Sequence, residues 1–318
     1  PRHLVMGVPS ATSAHYFIFV GVGEVMKREM GITFVPEATG GATASFNLLS
    51  KGEINLGSGA FDVIHYATFG QEGFKDNQIP QMRVVAPYMP FMIGWFTQAD
   101  SGIKTFADLK GKRLAGNATR SPIVKAINLA SVHAAGLTED DLAAFLPLHG
   151  QKEAAGYIKD RTADCAAWAA NPGFAGASWA EMANSLNVRQ LSMTEEMQKA
   201  VIEEYVWGVP QLQKAGIYKD VDYDVRGVGW DQTFVAELKI PADLVYTMMM
   251  IMYDDQFKDE FSALHPATVQ FTLERAINDK PPAPYHPGAI KYFKDRGVWT
   301  AEVDAANKKL LSELGMAE

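Results

Sequence analysis

The sequence has one cysteine, Cys165, so no internal disulfide can form, and thiolate metal cages and C-x-x-C redox pairs are excluded. It has no long hydrophobic run. Its most apolar stretch, residues 244–253 (LVYTMMMIMY), falls short of the ~20 residues that a membrane helix needs and is closed by Asp254 and Asp255. It also has no basic run: 29 Lys and Arg stand against 37 Asp and Glu, a net charge of −8. That balance argues against nucleic acid, whose phosphates call for Lys/Arg clusters, and against an anionic membrane surface. The enzyme motifs are missing too. The seven histidines at 3, 15, 65, 133, 149, 265 and 286 show no HxxxH or HExxH spacing. GxSxG is absent, and no GxGxxG or GxxxxGK[ST] follows a strand. No cofactor, metal site or catalytic residue is therefore expected, and the chain does not read as an enzyme.

A chain of 318 residues, 47% apolar and 21% charged, suits roughly two folding units with sizeable cores. It begins at Pro1 and within a few residues enters an apolar strand-like segment, as a mature secreted protein would after loss of its signal peptide. A periplasmic location is the expectation.

Along the chain, strand and helix patterns alternate. Residues 3–8 (HLVMGV) read as a strand, 14–30 as a helix capped by Gly31, 32–35 as a strand, 43–51 as a helix ended by Gly52, and 54–57 as a third strand. The order recurs. Residues 112–115 read as a strand, and 122–135 as a helix opened by Pro122 and followed by Gly136. Thr138, with Asp141 three residues on, reads as the cap of another helix. Then come a strand at 145–148, a helix at 151–159 and a strand at 165–169. This β-α-β-α-β pattern predicts α/β lobes with doubly wound sheets. The expected division is a discontinuous lobe of residues 1–90 with 239–318 and a second of 91–238, with a ligand cleft between them. The alternative is one larger sheet with insertions. Residues 83–98 and 225–237 are the expected crossings. Helices are expected at 242–261 and 268–277, before the break at Pro281-Pro282-Ala283-Pro284.

In open α/β sheets ligands gather at the carboxyl ends of the strands. Those ends carry Ser10-Ala11-Thr12-Ser13, Thr39-Gly40-Gly41-Ala42-Thr43 and Gly59-Ala60-Phe61 in the first lobe. The second offers Asn117-Ala118-Thr119-Arg120-Ser121 and Ala170-Asn171-Pro172-Gly173. Each loop runs into a helix start, whose open amides and partial positive charge suit oxyanions. Each also reads as an ordinary cap. Arg120, at a helix start, fits best if an anion compensates it; otherwise it is an exposed surface arginine. Asp62 reads as the cap of a helix over 63–69, Cys165 as buried filler, and Gly57-Ser58-Gly59 as a strand end under a close-packed helix.

Taken in order, several segments resemble the solute-binding subunits of TAXI-type TRAP transporters. They are Thr39-Gly40-Gly41, Leu48-Leu49-Ser50-Lys51-Gly52-Glu53, Asp62 with Ala67 and Gly70, and Arg83. Further on come Asp100-Ser101-Gly102-Ile103, Asp108-Leu109-Lys110-Gly111-Lys112-Arg113, and Tyr285-His286-Pro287-Gly288-Ala289-Ile290 with Tyr292. The resemblance implies a type II periplasmic binding fold whose two hinged lobes close on a small organic anion and hand it to an ion-coupled TRAP membrane permease. Carried over, it places Thr12, Ser13, Tyr16, Thr39, Gly41, Thr43 and Phe61 near the ligand in lobe one, and Ser121, Trp168 and Asn171 in lobe two. Two positions in the Thr-Gly-Gly loop depart from the family, Ala42 for serine and Ser45 for asparagine. The family's Gly-Ser-Gly-Thr turn is Arg120-Ser121-Pro122-Ile123 here, so Arg120 becomes a candidate ionic contact. The implied ligand is a compact C4–C5 dicarboxylate or amino acid, such as 2-oxoglutarate or glutamate. A flatter aromatic carboxylate becomes the alternative if Trp168 and Phe61 line the pocket. A periplasmic ligand sensor is the alternative to a transport subunit. Trp95, Trp207 and Trp230 read as wall or packing residues.

Overall fold

The computed structural model describes residues 3–11, 13–119, 121–263 and 265–316. The chain forms two compact units, Pro1–Met89 with Asp231–Glu318, and Pro90–Trp230.

The first unit opens with β1 (His3–Val8), α1 (Ala14–Met30), β2 (Thr33–Ala38), α2 (Ala42–Ser50), β3 (Leu56–Gly59) and α3 (Phe61–Phe69). β1 lies parallel to both β2 and β3. Gly31 ends α1 in the left-handed region at φ 65°, and its amide donates to the carbonyls of Met26 and Lys27. β2 runs on past Val35 through Pro36, which an outermost strand tolerates. β3 starts at Leu56 and not at Ile54, because the Asn55 side chain takes the ladder position and accepts from Val5 N at 3.0 Å. β4 (Met82–Gln98) then carries the chain into the second unit.

That unit contains β5 (Arg113–Asn117), α4 (Pro122–Ala134), β6 (Ala144–Pro147), α5 (Gln151–Lys159), β7 (Cys165–Ala170), α6 (Ala177–Ser185), β8 (Val188–Gln190), α7 (Glu195–Glu204) and β9 (Val209–Gln213). β6 and β7 flank β5 in parallel, and β7 pairs antiparallel with β4. Phe96, Trp179 and Tyr218 meet at the centre of the core, with ring centroids 4.5 and 5.0 Å apart. Cys165, at the start of β7, is fully buried, and burial pushes its thiol pKa up. The Thr138–Asp141 capping box does form, but it opens only a single 3-10 turn, Glu139–Asp141. Ala143 N already bonds Lys112 O, so the chain must enter β6.

β10 (Val225–Glu237) pairs with β9 in the second unit and, over Thr233–Ala236, with β3 in the first. The division between units thus falls inside this strand, at 230/231, whereas the sequence reading puts it at 238/239. Gly229 has a steric reason: a Cβ there would stand 1.9 Å from the Phe91 carbonyl oxygen. Trp95 packs edge-on against Phe106, and Trp230 stacks on Phe91, so both serve as packing residues in the second unit.

The first unit is completed by α8 (Ala242–Tyr253), α9 (Asp255–Ser262), α10 (Leu273–Ala276), α11 (Pro287–Asp295) and α12 (Ala301–Glu313). The expected helix over 242–261 breaks at Asp254, whose extended backbone accompanies a carboxylate bound by Arg296 at 2.6 Å and Tyr292 at 2.7 Å. The expected helix over 268–277 is two short turns, Pro266–Gln270 and α10, parted by the extended cap residue Thr272.

Candidate functional site

Because β2, β1 and β3 are parallel neighbours, their carboxyl ends lie side by side. Each feeds a helix start, at Ala14, Ala42 and Phe61. The first two loops extend the pairing: Thr39 N donates to Val8 O at 2.9 Å and Gly40 N to Pro9 O at 3.2 Å. Thr39 Oγ1 is held at 2.5 Å from Ser45 Oγ and also donates to Val8 O. Ser45, the departure from the family's asparagine, therefore fixes Thr39. Gly41 stands at φ 133°, a conformation that favours glycine, and α2 begins with no side-chain cap. Its first-turn amides remain available to a ligand, with exposed Thr43 beside them. Ser13 donates to Ser10 O at 2.7 Å and accepts from Tyr16 N, so it is the cap of α1. Tyr16 is half-buried and meets Phe17 edge-on. Phe61 is buried and offers no exposed face to an aromatic ligand.

Behind these loops lies a buried polar chain that sequence reasoning missed. His15 Nδ1 and Tyr88 Oη are 2.6 Å apart, the Tyr88 hydroxyl also lies near Ser58, and Gln232 Nε2 donates to Ser58 Oγ at 3.3 Å. All four side chains are buried. Burial first, and the nearby His265 second, draw the His15 pKa down to about 4, so its ring is neutral at pH 7. Burial likewise raises the Tyr88 pKa. Next in β10, buried Asp231 accepts from Arg275 Nη1 at 2.8 Å, and about a third of the Arg275 side chain remains exposed. Asp62 is not the cap of α3: that helix starts one residue earlier, after Ala60, and the Asp62 carboxylate accepts from Val63 N at 2.7 Å. His15 sits two residues after the Ser13 cap; that position, directly after the first strand-end loop, is the one signal that singles it out.

In the second unit, Ser121 precedes α4 and makes no side-chain cap bond, so its hydroxyl is open to other partners. Asn171 is engaged on both sides, donating to Pro90 O at 2.9 Å and accepting from Gly173 N at 2.8 Å. It shapes the loop after β7, and α6 starts only at Ala177. Trp168 is half-buried and packs against the core of this unit. Asn128 ties the ends of β5 and β7 together through Gly116 O and Ala167 O. Thr119 Oγ1 lies 3.2 Å from His149 Nε2, and His149 N donates to Glu153, which places a histidine at the start of α5 that the sequence reading passed over. Thr12 and Arg120 lie outside the described residues.

Both sets of loops offer amides and hydroxyls, which suits binding of oxyanions more than bond-making. Among the described residues, no group of three or more His, Cys, Asp and Glu is placed to hold a metal. No described helix is long and apolar enough to cross a membrane.

Similar folds are known. XAC2383 from Xanthomonas citri, solved bound to ATP, superposes with a TM-score of 0.53 at 12% identity, covering 98% of this chain and 99% of that one. PhnD1 from Prochlorococcus marinus (MIT 9301), in complex with methylphosphonate, gives 0.51 at 11% identity over 85% and 95%. A protein described as a periplasmic transporter gives 0.50 at 12% identity over 96% and 95%. At such identities the likeness shows the fold, which is α/β and of the type II-like periplasmic binding-protein class. Family-level similarity extends over residues 6–297, and on that match the chain belongs to the NMT1-like family.

Proposed function

We propose that this protein is an extracytoplasmic solute-binding subunit that captures a small organic anion and releases it chemically unchanged. The observation that carries this reading is the side-by-side delivery of three helix starts, α1, α2 and α3, to one end of the first unit. Open amides around Gly41 and Thr43 supply donors, and the neutral His15–Tyr88–Ser58–Gln232 chain holds the surface behind them. Membership of the NMT1-like family and the binding-protein fold support the same reading.

The finer reading is a TAXI-type TRAP receptor in the periplasm, its signal peptide removed, that delivers its ligand to TRAP permease subunits. It rests on the ordered resemblance from Thr39-Gly40-Gly41 to Tyr285-His286-Pro287-Gly288. A compact C4–C5 dicarboxylate or amino acid, such as 2-oxoglutarate or glutamate, suits loops in which Phe61 is buried and offers an aromatic ligand no stacking face.

Thermal unfolding against a panel of carboxylates, amino acids, sulfonates and phosphonates tests this. A ligand that binds only the folded chain stabilises it by ~2.7 kcal/mol at a hundredfold excess over Kd. The expected result is one large shift with a carboxylate, which is then recovered intact by chromatography. A shift confined to sulfonates or phosphonates would replace the ligand class. Chemical conversion of the ligand, or no shift even after refolding from denaturant to strip a bound molecule, would overturn the proposal.

A further inference from the structure

The opposite end of the first unit carries a buried cation that nothing in the loops accounts for. There Ala236 of β10 faces Leu56, the first residue of β3, and Leu238 N donates to Gln81 O, at the foot of β4. Arg83, the second residue of β4, is only 2% exposed. Its Nη1 donates to Pro80 O at 2.7 Å and to Met82 O at 2.9 Å, and its Nη2 reaches the Met316 thioether at 2.9 Å. Among the described residues, no carboxylate is a partner of Arg83. A guanidinium removed from water normally has an anion beside it, because carbonyl dipoles offset only part of the lost hydration and a thioether is a weak acceptor. Burial accordingly lowers the pKa of Arg83.

Arg83 lines a cavity of about 580 Å³ between β4 and helices α11 and α12. Leu238, Ile290, Leu311 and Met316 supply an apolar wall, and Lys294 adds a second positive charge. Leu238, in that wall, is 39% exposed, so its side chain is open to an apolar ligand. Among the described residues, the one carboxylate in the lining, Asp304, is already held by Trp299 Nε1 at 2.9 Å and by Lys308 at 3.2 Å. The volume is that of an ordinary small-molecule site. Cationic groups beside a leucine-rich wall match a ligand with an anionic head and an aliphatic body.

We propose that the first unit has a second binding site, at the Arg83 cavity, for an amphipathic monocarboxylate of the medium-chain fatty-acid class. The carboxylate takes the Nη2 donor now facing the Met316 thioether, and the chain lies along Leu238, Ile290 and Leu311. This site is independent of the strand-end loops and of whatever anion they take.

Calorimetric titration of the full chain with octanoate tests it, with 1-octanol and butyrate as controls for head and tail. The expected result is saturable one-site binding of octanoate, at least tenfold tighter than either control. Leu311→Trp, which fills the cavity from a half-buried position, should weaken octanoate at least tenfold with the circular dichroism spectrum unchanged. Arg83→Met should abolish the preference for octanoate over octanol; if that variant does not fold, Leu311→Trp decides. Ser13→Ala combined with Thr43→Ala should leave octanoate binding unchanged, which separates this site from the proposed transport ligand. Equal binding of octanoate and octanol, full affinity in Leu311→Trp, or no saturable binding would overturn the proposal.

Discussion

The two units build the same strand-to-helix ends and stiffen them in opposite ways. In the first, side chains from distant segments support the loops from behind: His15 on α1, Ser58 on β3, Tyr88 on β4 and Gln232 on β10 form one buried polar cluster. In the second, single asparagines tie backbone to backbone, Asn171 to Pro90 and Gly173, and Asn128 to Gly116 and Ala167. A buried network of titratable groups is strong but sensitive to charge. Asparagine cross-ties carry no charge and do not respond to pH. The first unit should therefore fail first under acid or loss of a hydroxyl, and the second under loss of an amide.

Acid should give the largest contrast. Burial draws His15 and His286, both in the first unit, down to about 4 from an ordinary 6.5. Between those values the unfolded chain binds protons that the folded chain refuses. Stability is thus complete above pH 6.5 and is lost as pH falls toward 4, by about 3 kcal/mol for each histidine. In the second unit the resolved carboxylate shifts are downward, as for Asp164 beside Arg113, so their loss comes below the ordinary carboxylate range. Hydrogen exchange followed by mass spectrometry at pH 7 and pH 4.5 should show protection falling in α1 and α11 while α4 and α5 hold. Equal loss in both units would break the comparison.

Substitutions come next in size. Arg275→Met takes the guanidinium from buried Asp231 and should cost about 3 kcal/mol in urea unfolding, with Asp231→Asn in the same background restoring part of it. Tyr88→Phe keeps the ring contacts with Phe19 and Phe271 but removes the hydroxyl between His15 and Ser58, for a loss of about 2 kcal/mol. Asn171→Ala, the matching test in the second unit, deletes two bonds to backbone and should cost about 1–2 kcal/mol, with no change in the acid profile. An acid profile altered by Asn171→Ala would mean that the two supports are not separate.

What was legible in the sequence follows from the range of the interactions involved. β1, α1 and α5 are read to within a residue because their signals are local: an apolar run, a Gly31 cap, a glycine before Gln151. The break at Asp254 is not local, since Arg296, 42 positions on, holds the carboxylate that fixes it. The support behind the loops was equally hidden, because His15 meets Tyr88 across 73 positions, and the place of His15 just after a strand-end loop does not point to that partner. The family resemblance was itself carried largely by residues that hold the fold. His286 caps α11 by accepting from Gly288 N, Asp108 closes a capping box with Thr105, and Arg83 lies far from the strand-end loops. Such residues identify an architecture, whereas the proposed ligand contacts, Gly41, Thr43 and Ser121, are of types common at any helix start.

The smallest contrast is the most informative about the site. Ser13 and Ser121 both stand before a helix that follows a strand, yet only Ser13 uses its hydroxyl, toward Ser10 O and Tyr16 N. Ser13→Ala should cost about 1 kcal/mol of stability, the usual worth of a serine cap. Ser121→Ala should leave stability within about 0.5 kcal/mol, because Pro122 already fits the first helical turn and no bond is lost. If the Ser121 hydroxyl serves a ligand, its removal should weaken binding five- to tenfold in the same panel, with no change in the unfolding of the unliganded chain. A Ser121→Ala protein equal to the parent in both measurements would remove Ser121 from the site and leave the ligand to the amides at the start of α4.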